Sequence, residues 1–303
     1  MPCWCLSLTA SQATLEQREE LFQSWIQLAQ VFPSIFLATC QRLELYFHEE
    51  SSMQHVLHWI QHLPQVVEYR GAACLEHLIS VTAGWESAFF GESEIQGQVK
   101  RAYAEAAARW PLPSALHFLF QKSLRASKRL RQQSPSVSSS SIAQVASQLL
   151  LQHTDPGGPI ALVGASSMNR AIAYALQGTP RPLILLSRHP KKAGRFPAWV
   201  QQVEWEERER ALSAQALCCA TRSDGIWIDR VGAEMRFILD LSVPRRVSPQ
   251  LAHQVSLLNV DQLFSMGGSS IAASVDPLEL QSLADHYLKI WSQKQEKLHA
   301  RVM

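Results

Sequence analysis

A chain of 303 residues, 47% of them hydrophobic, is long enough for two or three ordinary globular cores. A net charge of +2 excludes polyanion binding by charge excess alone, so any nucleic-acid contact must come from a local basic patch. No apolar run is long enough to span a bilayer, and no signal-peptide pattern opens the chain, so a cytoplasmic location without membrane attachment is expected.

The six cysteines stand at 3, 5, 40, 74, 218 and 219. Neither Cys3-x-Cys5 nor Cys218-Cys219 has zinc spacing with nearby histidines, so free thiols in a reducing compartment are expected, with no metal site. Residues 3–9 suit a short first strand, and Leu15 to Leu28 an amphipathic helix. The apolar run Ile35-Phe36-Leu37 reads as a buried strand, and Leu45-Tyr46-Phe47 as the next strand or helix turn. Between these runs lie the Cys40 thiol, the Arg42 guanidinium and the Glu44 carboxylate. A thiolate is a strong nucleophile, and a neighbouring cation lowers the thiol pKa. Arg42 could supply that field or clamp a substrate carboxylate, with Glu44 orienting it. A buried cysteine beside a surface ion pair is the plainer alternative.

Met53 to Leu63 reads as a helix with His55, His58 and His62 on one face. No carboxylate or thiol joins them, so a solvated face is the expectation. Leu75 to Val81 carries His77 on an apolar helix, where a histidine is usually packed and hydrogen-bonded. Ser87, Glu92 and Glu94 follow in polar positions, and Gln98 to Trp110 reads as a helix broken by Pro111-Leu112-Pro113. Leu116 to Arg131 is a helix with Lys122, Arg125, Lys128, Arg129 and Arg131. It is read evenly as a solvated face or a phosphate-contacting surface. Gln132 to Ser141 is a Ser-rich link.

Pro159 to Ala171 reads as a buried strand turning into a helix, as in a Rossmann unit. The glycine fingerprint is reduced to Gly164-x-Ser166-x-x-Asn169. Gly164 serves the tight turn. Ser166 adds a Cβ where backbone should approach a pyrophosphate, although its hydroxyl could bond a phosphate. Asn169 is expected to weaken helix–strand packing. The strand from Pro182 to Leu186 ends in Ser187-Arg188, without an acidic residue for a ribose 2′-hydroxyl. Arg188 therefore favours a 2′-phosphate, hence NADPH; an ordinary exposed cation is the alternative. After Gly267-Gly268-Ser269-Ser270, Pro277 begins a long helix with an apolar stripe of Leu280, Leu283, Tyr287, Leu288 and Trp291.

Three blocks in this order carry a family resemblance. Thr39-Cys40-Gln41-Arg42-Leu43-Glu44 resembles the Ser-Thr-Cys-Asn-Arg-Thr-Glu signature of glutamyl-tRNA reductases. Glu76 to Ser87, followed by Phe90 to Lys100, is similar to that family's segment ending in Gly-Gln-Val-Lys. Leu119-Phe120-Gln121-Lys122-Ser123-Leu124-Arg125 resembles its Leu-Phe-Gln-Lys-Ala-Leu-Arg. Phe237 to Arg245 and Asn259 to Leu263 are similar to its Asp-x-Ala-Val-Pro-Arg and Val-Asp-Asp-Leu. The chain departs from the family at Thr9 to Thr14, where a substrate-holding turn differs, and at Glu94, where the family has Gln.

The resemblance implies an α/β protein of three parts: an α+β catalytic domain over 1–138, a Rossmann-like NADP-binding domain over 139–268, and a C-terminal helix over 269–303. That helix would be a shortened spinal and dimerisation region. It implies NADPH-dependent reduction of glutamyl-tRNA to glutamate-1-semialdehyde through a Cys40 thioester, the first step of tetrapyrrole synthesis. Cys40 and His77 are then catalytic. Thr39, Arg42, Glu44, Ser87, Glu92, Glu94 and Gln98 bind substrate, and Gly164, Ser166, Asn169, Ser187 and Arg188 bind cofactor. The nicotinamide must swing toward Cys40. Expected partners are glutamyl-tRNA, glutamate-1-semialdehyde aminomutase and a second copy of the chain in a weak homodimer, unless the stripe folds back on the nucleotide domain. Two rival classes are a homologue that only deacylates glutamyl-tRNA and a non-enzymatic tRNA- or partner-binding module.

Overall fold

The computed structural model describes residues 1–48, 56, 65–88, 94–133, 142–188, 196–222, 225–267 and 277–300. The three histidines expected on a helix over 53–63, and the serines of the expected link, lie outside the described residues. The chain divides into two compact units. One comprises residues 1–139 with 269–303, the other residues 140–268. The C-terminal helix is thus part of the first unit.

In the first unit, β1 (Cys3–Thr9), β2 (Ser34–Ala38), β3 (Arg42–His48) and β4 (Val67–Arg70) form an antiparallel sheet in the order β2-β3-β1-β4. Strands β1 and β3 are buried along nearly their whole length because both faces of the sheet are covered. Trp4, Leu6, Leu8, Leu43, Leu45 and Phe47 meet Trp25 and Leu28 of α1 (Leu15–Leu28). Thr14 caps α1 in a reciprocal box with Gln17, which satisfies two orphan donors of the first turn. The opposite face bears Cys3, Cys5, Ile35, Leu37 and Tyr46. It packs on α2 (Ala72–Ala83), α3 (Glu94–Arg109) and α4 (Ser114–Gln133). Buried on nearly every side, α2 is apolar almost throughout, and it stops at Gly84 with φ of +81°.

The second unit is a parallel sheet of β5 (Ile160–Val163), β6 (Leu183–Leu186), β7 (Gln201–Val203), β8 (Ala216–Cys219), β9 (Phe237–Asp240) and β10 (Ser256–Asn259). Its helices are α5 (Ile142–Gln152), α6 (Ser167–Ala175), the short α7 (Glu209–Leu212) and α8 (Val260–Gly267). The order β10-β9-β8-β5-β6-β7 means that the chain winds outward from β5 one way and then the other. That is the doubly wound Rossmann arrangement, whose switch point lies beside β5 at the carboxyl ends of the strands. The four residues of β5, β6, β8 and β9 are buried throughout; β5, β6 and β8 are unbroken apolar runs, and β9 is apolar up to Asp240.

The last helix, α9 (Pro277–His299), lays Leu283, Ala284, Tyr287 and Trp291 into the core of the first unit, against α2 and α4. Trp291 meets Phe118 edge-on, with ring centroids 5.1 Å apart. The apolar stripe read from the sequence is thus covered by helices of its own unit. No helix among the described residues is long and apolar enough to cross a membrane.

Trp291→Ala should therefore cost about 3–5 kcal/mol, the usual penalty for emptying a buried tryptophan site. Thermal unfolding would show this as a lower melting temperature. An unchanged melting temperature with a weaker association constant would instead put the stripe in a subunit interface.

Candidate active site

Strands β2 and β3 are joined by three residues, Thr39-Cys40-Gln41, whose backbone is held on every side. The Thr39 hydroxyl accepts from the amides of Gln41 (3.1 Å) and Arg42 (3.2 Å), and the Thr39 amide donates to the Arg42 carbonyl (2.9 Å). Arg18 Nη1 donates to the Cys40 carbonyl at 2.7 Å. The Gln41 carbonyl accepts from the Ala10 amide (2.8 Å), and its Oε1 from the Ala88 amide (3.2 Å). Cys40 is half-buried at the tip, while the other five cysteines are 0% exposed. Burial pushes the thiols of Cys3, Cys5, Cys74, Cys218 and Cys219 up, which keeps them neutral. Cys40 is thus the cysteine that a substrate can reach.

Below the loop, strand alternation places Arg42, Glu44 and Tyr46 on one face, the one covered by α2 and α4. Glu44 is 0% exposed. Its Oε1 accepts from Ser7 Oγ (3.1 Å), Arg42 Nη1 (3.2 Å) and His77 Nε2 (2.8 Å), and its Oε2 accepts from the Tyr46 hydroxyl (2.7 Å). Burial acts to raise the Glu44 carboxyl. His77, then Arg42, then the hydrogen bonds of His77 and Tyr46 outweigh it and hold the group at about 2. A carboxylate only accepts, so His77 must carry its proton on Nε2. The ring also stacks on Tyr69, with centroids 3.8 Å apart and planes 8° from parallel. Arg42 reaches further, from Nη2 to the Glu86 carbonyl, and so ties the strand to the turn after α2.

Cys5, Glu44 and His77 bring potential metal ligands within 4.8 Å of one another. Both Glu44 oxygens already accept hydrogen bonds. Burial and the Glu44 charge keep Cys5 protonated, whereas a metal needs a thiolate. The cluster works as a hydrogen-bonded hub.

Of the other expected substrate-binding residues, Ser87 sits half-buried in the turn after Gly84, its amide facing the Gly84 carbonyl at 3.4 Å. Glu94 opens α3, where a negative charge suits the helix N-terminus. Gln98 follows one turn later with its buried Oε1 unpartnered among the described residues, as is the buried Nε2 of Gln41. Glu92 lies outside the described residues.

In the second unit, Gly164 has φ of +97°, and a Cβ there would stand 2.8 Å from both the Ala220 carbonyl oxygen and Thr221 Cβ. Only glycine suits this turn. The Ser166 hydroxyl, expected to be available to a phosphate, accepts the Asn169 amide (3.1 Å) as the cap of α6. Asn169 strengthens the junction it was expected to weaken. Fully buried, its Nδ2 donates to the carbonyls of Val163 and Gly164, each at 2.8 Å. Ser187 is buried at the end of β6. Arg188 is exposed, but its guanidinium lies 3.8 Å from the Trp227 ring centroid, and Trp205 meets Trp227 at 5.2 Å.

Gln41, Glu86, Tyr69, Trp205 and Trp227 were given no role by sequence reasoning, and Arg18-Glu19 only matches the family's Arg-Glu. For Arg18 a further signal exists: it occupies the buried stripe of α1 with Leu15, Trp25 and Leu28. A cation on an apolar face needs a partner. The other five leave no comparable signal.

Residues 6–134 match the family model described as glutamyl-tRNAGlu reductase, N-terminal domain. The glutamyl-tRNA reductase of Chlamydia muridarum is 31% identical over 98% of this chain and 93% of its own length. That of Chlamydia trachomatis serovar D is 28% identical over the same shares. The solved glutamyl-tRNA reductase of Methanopyrus kandleri is similar over 99% of this chain and 82% of that one, with 22% identity and a TM-score of 0.49.

The depressed Glu44 carboxyl has a measurable consequence. Its folded value, about 2, lies below the unfolded one. The stabilisation is therefore complete above the unfolded range near pH ~4.3 and is lost as pH falls through about 2. Glu44→Gln should remove on the order of 3 kcal/mol near neutral pH and flatten that part of the acid limb. Urea unfolding of both proteins at about pH 7 and about pH 3 checks this; parallel losses on acidification would rule it out.

Proposed function

The chain belongs to the glutamyl-tRNA reductase family, and on that footing we propose that it reduces glutamyl-tRNA to glutamate-1-semialdehyde, with NADPH as reductant, as the first step of tetrapyrrole synthesis. The observation that carries this reading is the loop at 39–41, which offers the partly exposed Cys40 on a backbone anchored by Arg18.

In this reading Cys40 Sγ attacks the acyl carbonyl carbon of the ester. A C–S bond forms, the C–O bond to the terminal ribose breaks, and the ribose hydroxyl leaves with a proton. Covalent catalysis divides one hard substitution into two easier steps. Arg18 acts as a positioning residue, since it holds the carbonyl of the nucleophile itself. With Nε2–H committed to Glu44, His77 keeps Nδ1 as its proton-transfer atom, and Glu44 sets that tautomer as a carboxylate does for other catalytic histidines. The glutamyl group presents an ammonium and a carboxylate. The unpartnered Gln98 Oε1 suits the donor, and the unpartnered Gln41 Nε2 suits the acceptor. Thr39, Arg42, Ser87, Glu92 and Glu94 complete the substrate site, with Arg42 also bracing the turn through the Glu86 carbonyl.

The nucleotide falls to the turn of Gly164 and to Arg188, with Ser166, Asn169 and Ser187 shaping the strand ends around them. A turn that a Cβ would fill, leading into the capped N-terminus of α6, fits a pyrophosphate at the switch point. Arg188, steadied by Trp227, fits the 2′-phosphate that distinguishes NADPH. When bound, NADPH would supply the hydride that turns the thioester into the aldehyde and releases Cys40 as the thiolate. An α-amino aldehyde condenses with amines in water, which favours its passage to glutamate-1-semialdehyde aminomutase. A homodimer would use a surface other than the stripe of α9, which is already buried.

Cys40→Ser should abolish both NADPH oxidation with glutamyl-tRNA and deacylation of that substrate, because an unactivated hydroxyl replaces a thiolate. Wild-type turnover by this variant would remove Cys40 from the chemistry.

Arg188→Ala should weaken NADPH by roughly tenfold to a hundredfold, the loss of one charged hydrogen bond, and leave NADH nearly unchanged. Fluorescence titration with both nucleotides decides, and equal losses would take Arg188 out of the 2′-phosphate role.

A further inference from the structure

Helix α4 carries Lys122, Arg125, Lys128, Arg129 and Arg131 and no acidic residue, in a chain whose net charge is only +2. Four of these cations line one cavity. It has a volume of about 360 Å³, lies between α4 and α9, and is bounded by Lys122, Arg125, Lys128 and Arg129 on one wall and by His286 and Tyr287 on the other. No Asp or Glu lines it. Both walls belong to the first unit.

Three features separate this groove from an ordinary solvated helix face. Positions 122, 125 and 129 stand three and four residues apart, so like charges neighbour one another and destabilise the helix. None of the four cations forms an ion pair with a described carboxylate. Cations near a helix C-terminus offset its dipole only within the last turn, and Lys122 and Arg125 lie well before Gln133. Lys122 is also held in place, its Nζ 5.4 Å from the Phe118 ring centroid and 5.6 Å from that of Tyr287. Arg125, Lys128 and Arg129 are exposed along the rim. Lys122 to Arg129 spans about 10 Å along the helix. An elongated row of uncompensated cations with one aromatic-lined wall is complementary to a polyanion.

We propose that this groove seats the ribose–phosphate backbone of the tRNA, and that α9 serves to build its second wall. The proposal rests on glutamyl-tRNA being the substrate, and it adds a surface to that reading. Phosphate contacts position a nucleic acid without reading its bases. The groove should therefore bind tRNA whether or not it is aminoacylated and largely regardless of its sequence.

The test uses the full-length protein and the double variant Lys128→Gln with Arg129→Gln, both on the exposed rim. Binding of uncharged tRNA is measured by fluorescence anisotropy across a range of salt. Each phosphate contact contributes about 0.7–0.9 to the slope of log affinity against log salt. The double variant should thus lose roughly 1.4–1.8 from that slope, with at least about tenfold weaker binding at low salt. In turnover, KM for glutamyl-tRNA should rise while kcat holds, and Cys40-dependent hydrolysis of a small glutamyl ester should stay at the wild-type rate. An unchanged slope and affinity in the variant would overturn the groove as an RNA site, even with reductase activity intact. A lower slope in a protein that reduces nothing would uphold the groove and count against the reductase reading instead.

Discussion

A carboxylate with no exposure to solvent cannot stand without donors, and Glu44 recruits them from three elements of the first unit. Ser7 comes from β1, Arg42 and Tyr46 from β3 itself, and His77 from α2. Through Arg42 the same network extends to the Glu86 carbonyl. Removing one partner would leave a charge in a low-dielectric interior, which costs several kcal/mol. The network thereby sets register. A one-residue slip of β3 would turn Arg42, Glu44 and Tyr46 toward α1 and bring Leu43, Leu45 and Phe47 into their place. The loop carrying Cys40 lies at the end of this strand, so its position follows from the buried charge.

The two units solve their local problems differently. In the first, polar side chains do the fastening, and apolar packing fills the space around them. In the second, four-residue apolar strands make the sheet, and its fine structure concentrates at the carboxyl ends. There Asp240, nearly buried, accepts the amides of Ser242, Arg246 and Val247 at 2.9, 2.7 and 2.9 Å. Those three bonds hold the segment after β9 as the Asn169 amide holds the segment after β5. Side-chain hydrogen bonds thus brace both strand ends, that of β5 beside the tight turn of Gly164.

Much of this was legible in the residues. Unbroken apolar runs announced β5 and β6, and Gly164 announced a tight turn. Thr39 to Glu44 displayed its chemistry because polar groups interrupt two apolar runs. What stayed hidden depended on partners far away in sequence. Nothing near His77 indicates that Glu44, 33 residues earlier, fixes its tautomer. The residues around Arg18 do not name its acceptor, the Cys40 carbonyl 22 residues later. Asn169 was read by what it lacks relative to glycine, and its effect comes from what its amide can donate. The stripe of α9 showed that something must cover it, but periodicity does not say which surface that is.

That helix has a consequence for the order of events on the ribosome. The first unit is built from residues 1–139 and 269–303, with residues 140–268 between its two parts. At about 5–20 residues per second, on the order of ten seconds pass between synthesis of α4 and synthesis of α9. Throughout that interval the nascent first unit has no cover for the apolar surface on α2 and α4 that Leu283, Tyr287 and Trp291 later occupy. Its core closes only after the second unit has been made, so α9 completes a domain whose other helices were translated before residues 140–268.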